Sequence, residues 1–163
     1  MLLIGAYTHR SYTFADLQHL SSQFGKGIVS QWGWKRGDVL AVYAPNSIDV
    51  PPAMLGVLWA GGVVCPVNTG YTASELAAQL RDSGARGVAT CEELLGRAKE
   101  AAGEVGISNE RVILLGDGKN EEVRNWREVM DRSRMPEVRK TRIEPNRDTA
   151  FIVYSSVRCS PFP

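Results

Sequence analysis

Two consecutive hydroxyls, on Ser155 and Ser156, follow Tyr154 at the end of the apolar run Ala150-Phe-Ile-Val-Tyr154. Hydroxyls and free amides in a turn that leaves a strand suit the oxygens of a phosphate group. A serine pair is common, so alone it indicates a chemistry without establishing it. The other candidates are weaker. His9 and His19 are the only histidines, and no carboxylate or nucleophile stands at a recognisable spacing from them, so a hydrolase triad has no support. His19 lies beside the apolar stripe of a predicted helix and is read as solvated or packing. Cys65, Cys91 and Cys159 stand far apart and are odd in number. They encode neither a zinc site nor a disulfide framework and fit a reducing compartment.

Sixteen glycines are present, yet no Gly-x-Gly-x-x-Gly follows a strand and no Gly-x-x-x-x-Gly-Lys-Ser/Thr occurs. Gly25-Lys26-Gly27 falls late in a predicted helix, where it cannot build a phosphate nest between strand and helix, and is read as structural. Gly116-Asp117-Gly118 directly follows a strand and is better placed for a ligand. Asp-Gly is ordinary turn chemistry, however, and a turn is the preferred reading. Eight basic residues between Arg124 and Arg147 are interleaved with Glu128, Asp131, Glu137 and Glu144, with Trp126 the sole aromatic. They read as a solvated face rather than a nucleic-acid surface.

Such groups need a scaffold, and the apolar pattern supplies one. Thr13-Phe-Ala-Asp16 is a helix start, with the Thr hydroxyl able to cap a free amide and the Asp favourable in the first turn. Leu17, Leu20, Phe24 and Ile28 follow at helical spacing, and the helix should stop at Gly33. Continuous apolar runs begin at Val39, Val63, Gly87, Val112 and Ala150, as expected for strands covered on both faces. Helix-compatible segments separate them. Thr72-Ala-Ser-Glu75 is a capping box opening a helix that should end near Ser83-Gly84, while Asn125 to Met130 is a shorter, weaker helix. Four strand starts are spaced 24, 24 and 25 residues apart. That period raises a solenoid, but no residue pattern recurs at it. The reading is α/β: five strands alternating with helices in a doubly wound, mostly parallel sheet with flanking helices.

Composition narrows the function classes. At 163 residues, 44% hydrophobic and 23% charged, the chain is one soluble globular domain or part of a larger one. Its 19 basic against 18 acidic residues give +1, so no net field favours nucleic acid or an anionic membrane. Charges are uneven, 11 in the first 91 residues and 25 in the next 57, which predicts a more buried first half. No charge occurs between Asp49 and Glu75, but Pro51, Pro52, Gly61, Gly62 and Pro66 divide that stretch. Its apolar pieces fall short of the ~20 residues a spanning helix needs. With no signal peptide and no glycosylation sequon, the chain reads as intracellular.

Six blocks then recur in a telling order: Ser11-Tyr-Thr-Phe-Ala-Asp-Leu17, Lys35-Arg-Gly-Asp-Val-Leu40, Ala44-Pro-Asn-Ser47, Leu55-Gly-Val-Leu-Trp-Ala-Gly-Gly-Val-Val64, Asn68-Thr-Gly-Tyr-Thr-Ala-Ser-Glu-Leu76 and Asp82-Ser-Gly-Ala-Arg86. Together they resemble the adenylate-forming, AMP-dependent acyl-CoA synthetases, in particular the 4-coumarate–CoA ligase-like branch. The resemblance implies a clipped lead-in at 1–10, a partial N-terminal domain of such a ligase at 11–156 and a tail outside the family at 157–163. It implies a small carboxylic acid as substrate, with ATP, Mg2+ and CoA, joined through an acyl-adenylate that the thiol attacks. Tyr154, Ser155 and Ser156 then match the opening of the family's phosphate-binding loop, which continues with Gly-Thr-Thr-Gly and ends in Pro-Lys-Gly.

Here the chain reads Val157-Arg-Cys-Ser-Pro-Phe-Pro163 instead. Val157 stands where a Gly would let the backbone wrap a phosphate. Thr69 stands where the family usually has Pro. The expectation is therefore an N-terminal fragment of an acid–CoA ligase, cytoplasmic or peroxisomal, inactive alone and without catalytic or metal-binding residues of its own. The abrupt switch at Ser156-Val157 points to a truncated reading of a longer gene as one source, and Val157 is compatible with reading through an unspliced intron, as any Val would be, since every Val codon begins with GT. The alternative is a non-catalytic α/β binding or interaction module. A fragment should also expose apolar surface through which it self-associates.

Overall fold

The computed structural model describes residues 3–5, 9–130 and 138–155. Strands β1 (Leu3–Ile4) and β2 (Ser11–Tyr12) form a small antiparallel pair ahead of the main body. Helix α1 (Phe14–Trp32) starts as the sequence predicts: the Thr13 hydroxyl accepts the Asp16 N–H and the Asp16 carboxylate accepts the Thr13 N–H. Gly33 closes it in the left-handed region at φ 61°.

The main sheet contains β3 (Val39–Tyr43), β4 (Val63–Pro66), β5 (Ala85–Thr90), β6 (Val112–Leu114) and β7 (Arg124–Asn125), all parallel, in the order β4-β3-β5-β6-β7. Between them run α2 (Val50–Trp59), α3 (Ala73–Ser83), α4 (Leu95–Glu104) and finally α5 (Trp126–Val129). Side chains along β3 alternate between two cores. Leu40 and Val42 pack with Phe24 of α1, Val57 of α2 and Trp126 of α5, whereas Ala41 and Tyr43 pack with Leu76 of α3 and Ala98 of α4. A strand covered on both faces has no polar side, which is why its sequence is continuously apolar. The chain steps from β3 outward to β4 and then crosses back to β5. The switch point of this doubly wound order therefore lies between β3 and β5.

Gly25 and Gly27 are structural, as expected. A Cβ on Gly27 would lie 2.1 Å from the Val129 carbonyl oxygen, and one on Gly25 would lie 2.7 Å from that of Gly56. Only glycine lets α1 approach α5 and α2 so closely.

Two expectations are corrected. β5 begins at Ala85 rather than Gly87, with Ala85 paired to Val39 ahead of a register shift. The fifth strand of the sheet is β7, and the run from Ala150 makes only one parallel bridge, Val64 to Phe151. In that bridge Val64 N–H reaches the Ala150 carbonyl and Ile152 N–H reaches that of Val64. The next outward-facing position of β4 is Pro66, which has no N–H to continue the ladder. Its carbonyl accepts from Gln79 Nε2 of α3 instead, at 3.2 Å.

Candidate functional site at the carboxyl edge of the sheet

Ligands of open α/β sheets sit outside the carboxyl ends of the strands, at the switch point. Here side chains close that crevice. The Thr90 hydroxyl donates to the Tyr43 carbonyl at 2.9 Å, and the fully buried Tyr43 donates its own hydroxyl to the Tyr71 carbonyl at 2.7 Å. Arg97 reaches the same Tyr71 carbonyl at 3.1 Å.

Asp49, at the end of the loop from β3 to α2, is the polar centre of this edge. Its side chain is 1% exposed and accepts from Arg10 Nη2 at 2.6 Å and Nη1 at 3.1 Å, from the Tyr12 hydroxyl at 2.6 Å and from Arg127 Nη2 at 2.7 Å. Asp117 bridges the same two guanidiniums, at 2.9 Å to Arg10 and 3.2 Å to Arg127. Burial pushes the Asp49 carboxyl up, but the hydrogen bonds from Arg10 and Tyr12 and the charge of Arg127 outweigh it. The net result is a carboxyl below its ordinary range. Burial and Asp49 together push the Tyr12 phenol up.

This knot ties the β1–β2 pair to the loops after β3 and β6 and to α5, and the sequence reading did not find it. Its members lie 39 and 78 residues from Asp49, and no local motif links them. Arg127, expected on a solvated face, is half-buried here, because α5 turns its first residues onto the strand ends. The turn reading of Gly116-Asp117-Gly118 agrees with the structure. Asn125 Nδ2 donates to the carbonyls of Gly116 and Gly118 at 2.9 and 3.0 Å, and Arg127 Nη1 donates to that of Gly116 at 2.7 Å.

Of the predicted phosphate-binding trio, Tyr154 donates its hydroxyl to the Asp82 carboxylate in the last turn of α3. Its ring packs over Val39, Val63 and Cys65. Ser155 is exposed at the end of the described segment, and Ser156 lies outside the described residues. At this edge Arg10 and Arg127 are engaged by carboxylates, and Tyr154 faces the carboxylate of Asp82 in α3. Among the described residues no group of three or more His, Cys, Asp or Glu side chains is placed to hold a metal ion. No helix among them is long and apolar enough to cross a membrane.

The family model for AMP-binding enzymes matches residues 2–156. The chain belongs to that family. The 4-coumarate–CoA ligase-like 8 of Arabidopsis thaliana is 31% identical over 155 residues, 94% of this chain and 28% of the relative. Oxalate–CoA ligase of the same plant is 34% identical over 108 residues, 66% of this chain and 21% of the relative. A long-chain-fatty-acid-CoA ligase from Archaeoglobus fulgidus superposes with a TM-score of 0.76 at 26% identity, covering 94% of this chain and 29% of that one. An anthranilate CoA ligase in complex with anthranoyl-AMP shares the fold, with a TM-score of 0.79 at 19% identity, covering 92% of this chain and 28% of that one. The chain thus spans under a third of the length of these relatives.

Several blocks that carry the family resemblance build the scaffold. Within Lys35-Arg-Gly-Asp-Val-Leu40, Arg36 clamps Asp148 through two bonds of 2.7 Å, and Asp38 accepts from the Lys35 N–H at 2.8 Å and from Arg86 at 3.0 Å. Asn68 turns the chain after β4 by accepting the Gly70 N–H at 2.9 Å. In Asn68-Thr-Gly-Tyr-Thr-Ala-Ser-Glu-Leu76, Thr72 and Glu75 form the predicted capping box, and Gly84 ends α3 at φ 64°.

Proposed function

We propose that this chain is the amino-terminal region of an ATP-dependent carboxylic acid–CoA ligase. Such an enzyme activates a carboxylate as its acyl-adenylate and passes the acyl group to a thiol. In this reading residues 11–156 are part of the large N-terminal domain, 1–10 lead into it and 157–163 lie outside the family pattern. The 163 residues alone complete neither step. The observation that carries the reading is the AMP-binding match over residues 2–156. It falls on a doubly wound sheet beside whose edge Tyr154 and Ser155 lie. Incompetence of the chain alone is supported by the engaged arginines at that edge and by its short span against the relatives. ATP, Mg2+, CoA and the carboxylic acid belong to the parent ligase. A cytoplasmic or peroxisomal site is proposed for it, and the 31% identical Peroxisomal OPC-8:0-CoA ligase 1 of Arabidopsis thaliana supports the second.

Sequencing the transcript across the codons for Tyr154 to Pro163 should show a spliced form continuing into Gly-Thr-Thr-Gly after Ser156. A transcript with its natural stop after Pro163 overturns the ligase reading. Carboxylate-dependent exchange of pyrophosphate into ATP should be absent for the 163-residue chain. Exchange above the acid-free background would refute its incompetence.

A second reading is a non-catalytic α/β binding or interaction module, and both it and the fragment reading call for apolar surface open to association. An open groove of about 690 Å³ lies between α1, α2 and Ile143, with Phe14, Leu55 and Ile143 exposed by 70%, 42% and 41%. Apolar surface rimmed by polar groups is a mark of association. Sedimentation should then give a mass above 17.9 kDa that falls to the monomer value in the F14S/L55S variant. A monomer at every concentration counts against the self-association that the fragment reading expects.

A further inference from the structure

We propose that the groove between α1 and α2 is the docking site of an acidic amphipathic helix from a partner protein. The inference stands apart from the ligase reading, since it rests on the shape and charge of this face alone.

Both walls of the groove are helix faces. Phe14, Gln18 and Ser22 recur on α1 at i, i+4 and i+8, and Leu55, Leu58 and Trp59 stand together on α2. Glycine brings the two helices close: a Cβ on Gly56 would lie 2.8 Å from the Ser21 carbonyl oxygen. Two helices in such contact leave a valley that a third helix can fill. The end wall comes from far along the chain. Thr141 donates its N–H to the Trp59 carbonyl at 3.3 Å and its hydroxyl to the Ala60 carbonyl at 3.0 Å. These bonds use carbonyls that the end of α2 leaves free, and they hold Lys140 and Ile143 against the groove.

Charge decides the occupant. Among the described residues no Asp or Glu lines the groove, whose ionisable groups are His19 and Lys140. Asp16 lies near His19, but its carboxylate accepts the Thr13 N–H and hydroxyl at 2.9 and 2.7 Å. Arg139 and Arg142 flank Lys140 in the sequence, and among the described residues none of the three makes an ion pair or side-chain hydrogen bond. The acids that follow them face other cations: Glu144 lies 3.8 Å from Arg36 and from Arg147, and Asp148 lies 2.7 Å from Arg36. The groove therefore offers apolar surface with uncompensated positive charge at one end. An entering helix matches it with apolar side chains at i, i+3, i+4 and i+7 and carboxylates along its flank. A second copy docked groove to groove would bring two such cationic ends into one contact, so self-association here is the weaker contact and yields to an acidic helix.

The probe is a labelled helical peptide of about 18 residues, roughly five turns, with leucines on that apolar stripe and glutamates beside it. A second peptide carries lysines in place of the glutamates. Fluorescence anisotropy with the 163-residue chain should show the glutamate peptide binding about fivefold more tightly at low salt, with the difference shrinking as salt rises. K140E should reverse that preference, a gain for the lysine peptide that unfolding cannot produce. L55S should weaken both peptides about tenfold, and K119E, outside the groove, should change neither. No binding, equal affinity for the two peptides, or a preference that K140E leaves intact would overturn the proposal. So would binding to phosphatidylserine vesicles that the glutamate peptide fails to displace, which assigns the face to a membrane. A self-associated form that the glutamate peptide fails to dissociate assigns the groove to a second copy and overturns it equally. Loss of peptide binding in a ligase-length polypeptide from the same gene would show the groove filled within that chain and overturn an external partner.

Discussion

Replacing Asp49 with alanine should lower the stability of this chain by about 3 kcal/mol, because removing one partner of a buried ion pair leaves uncompensated charge behind. The lower end of the usual range applies. Arg10 and Arg127 keep 25% and 27% of their side-chain surface exposed and can regain some water. For a domain of this size the melting temperature should fall by roughly 6–12 °C. The pH dependence has a definite sign. Asp49 is held below the ordinary carboxylate range, so its contribution is complete above that range and is lost as pH falls through the lower value it has in the fold. Urea denaturation of wild type and D49A should therefore show a gap that is widest near neutrality and narrows with acid. A gap under about 1 kcal/mol at neutral pH, or one that widens on acidification, would show that the knot does not act as a buried ion pair.

Truncating Trp126 to alanine should cost about 4 kcal/mol, within the range for emptying a large aromatic site in a core. The residue belongs to a helix of only four residues, which would ordinarily contribute little on its own. Its side chain is nonetheless fully buried, edge-on to Phe24 of α1 with ring centroids 5.8 Å apart, and Arg127 lies 5.1 Å above its ring. The α1 to α5 contact at Gly27 leaves no slack through which neighbours could collapse into the space. Equilibrium unfolding should place W126F nearer wild type than W126A. A cost below about 1.5 kcal/mol for W126A would mean that α5 is peripheral. Because Arg127 joins Asp49 to this helix, D49A and W126A should also couple rather than add.

Local chemistry was legible in the sequence. Both capping boxes, Thr13 with Asp16 and Thr72 with Glu75, and both helix stops, Gly33 and Gly84, stand where residue type placed them. They were readable because each joins groups within one turn of the chain. The apolar runs from Val39, Val63 and Val112 gave parallel strands, since burial on two faces leaves one unmistakable pattern. The order of family blocks was legible for a related reason: turns such as Lys35 to Asp38 and Asn68 to Gly70 are short and chemically specific.

Other features had no local signature. β7 is two polar residues, and only its pairing with Ile113 and Leu114 makes it a strand. Pro66 was plain in the sequence, but its effect depended on facing the outer edge of β4, where the run from Ala150 needed a donor. Asp49 had no local signature, because its burial between Arg10, Tyr12 and Arg127 required segments far apart in the chain to converge. Tyr154 could be read as the start of a phosphate-binding turn, and only the position of α3 beside the sheet supplied Asp82 as its partner. Near neighbours and periodic burial made the capped helices α1 and α3, the strands from Val39, Val63 and Val112 and the family legible. Tertiary structure decided which polar groups meet at the carboxyl edge, because partner choice there is set by the convergence of loops that no spacing encodes.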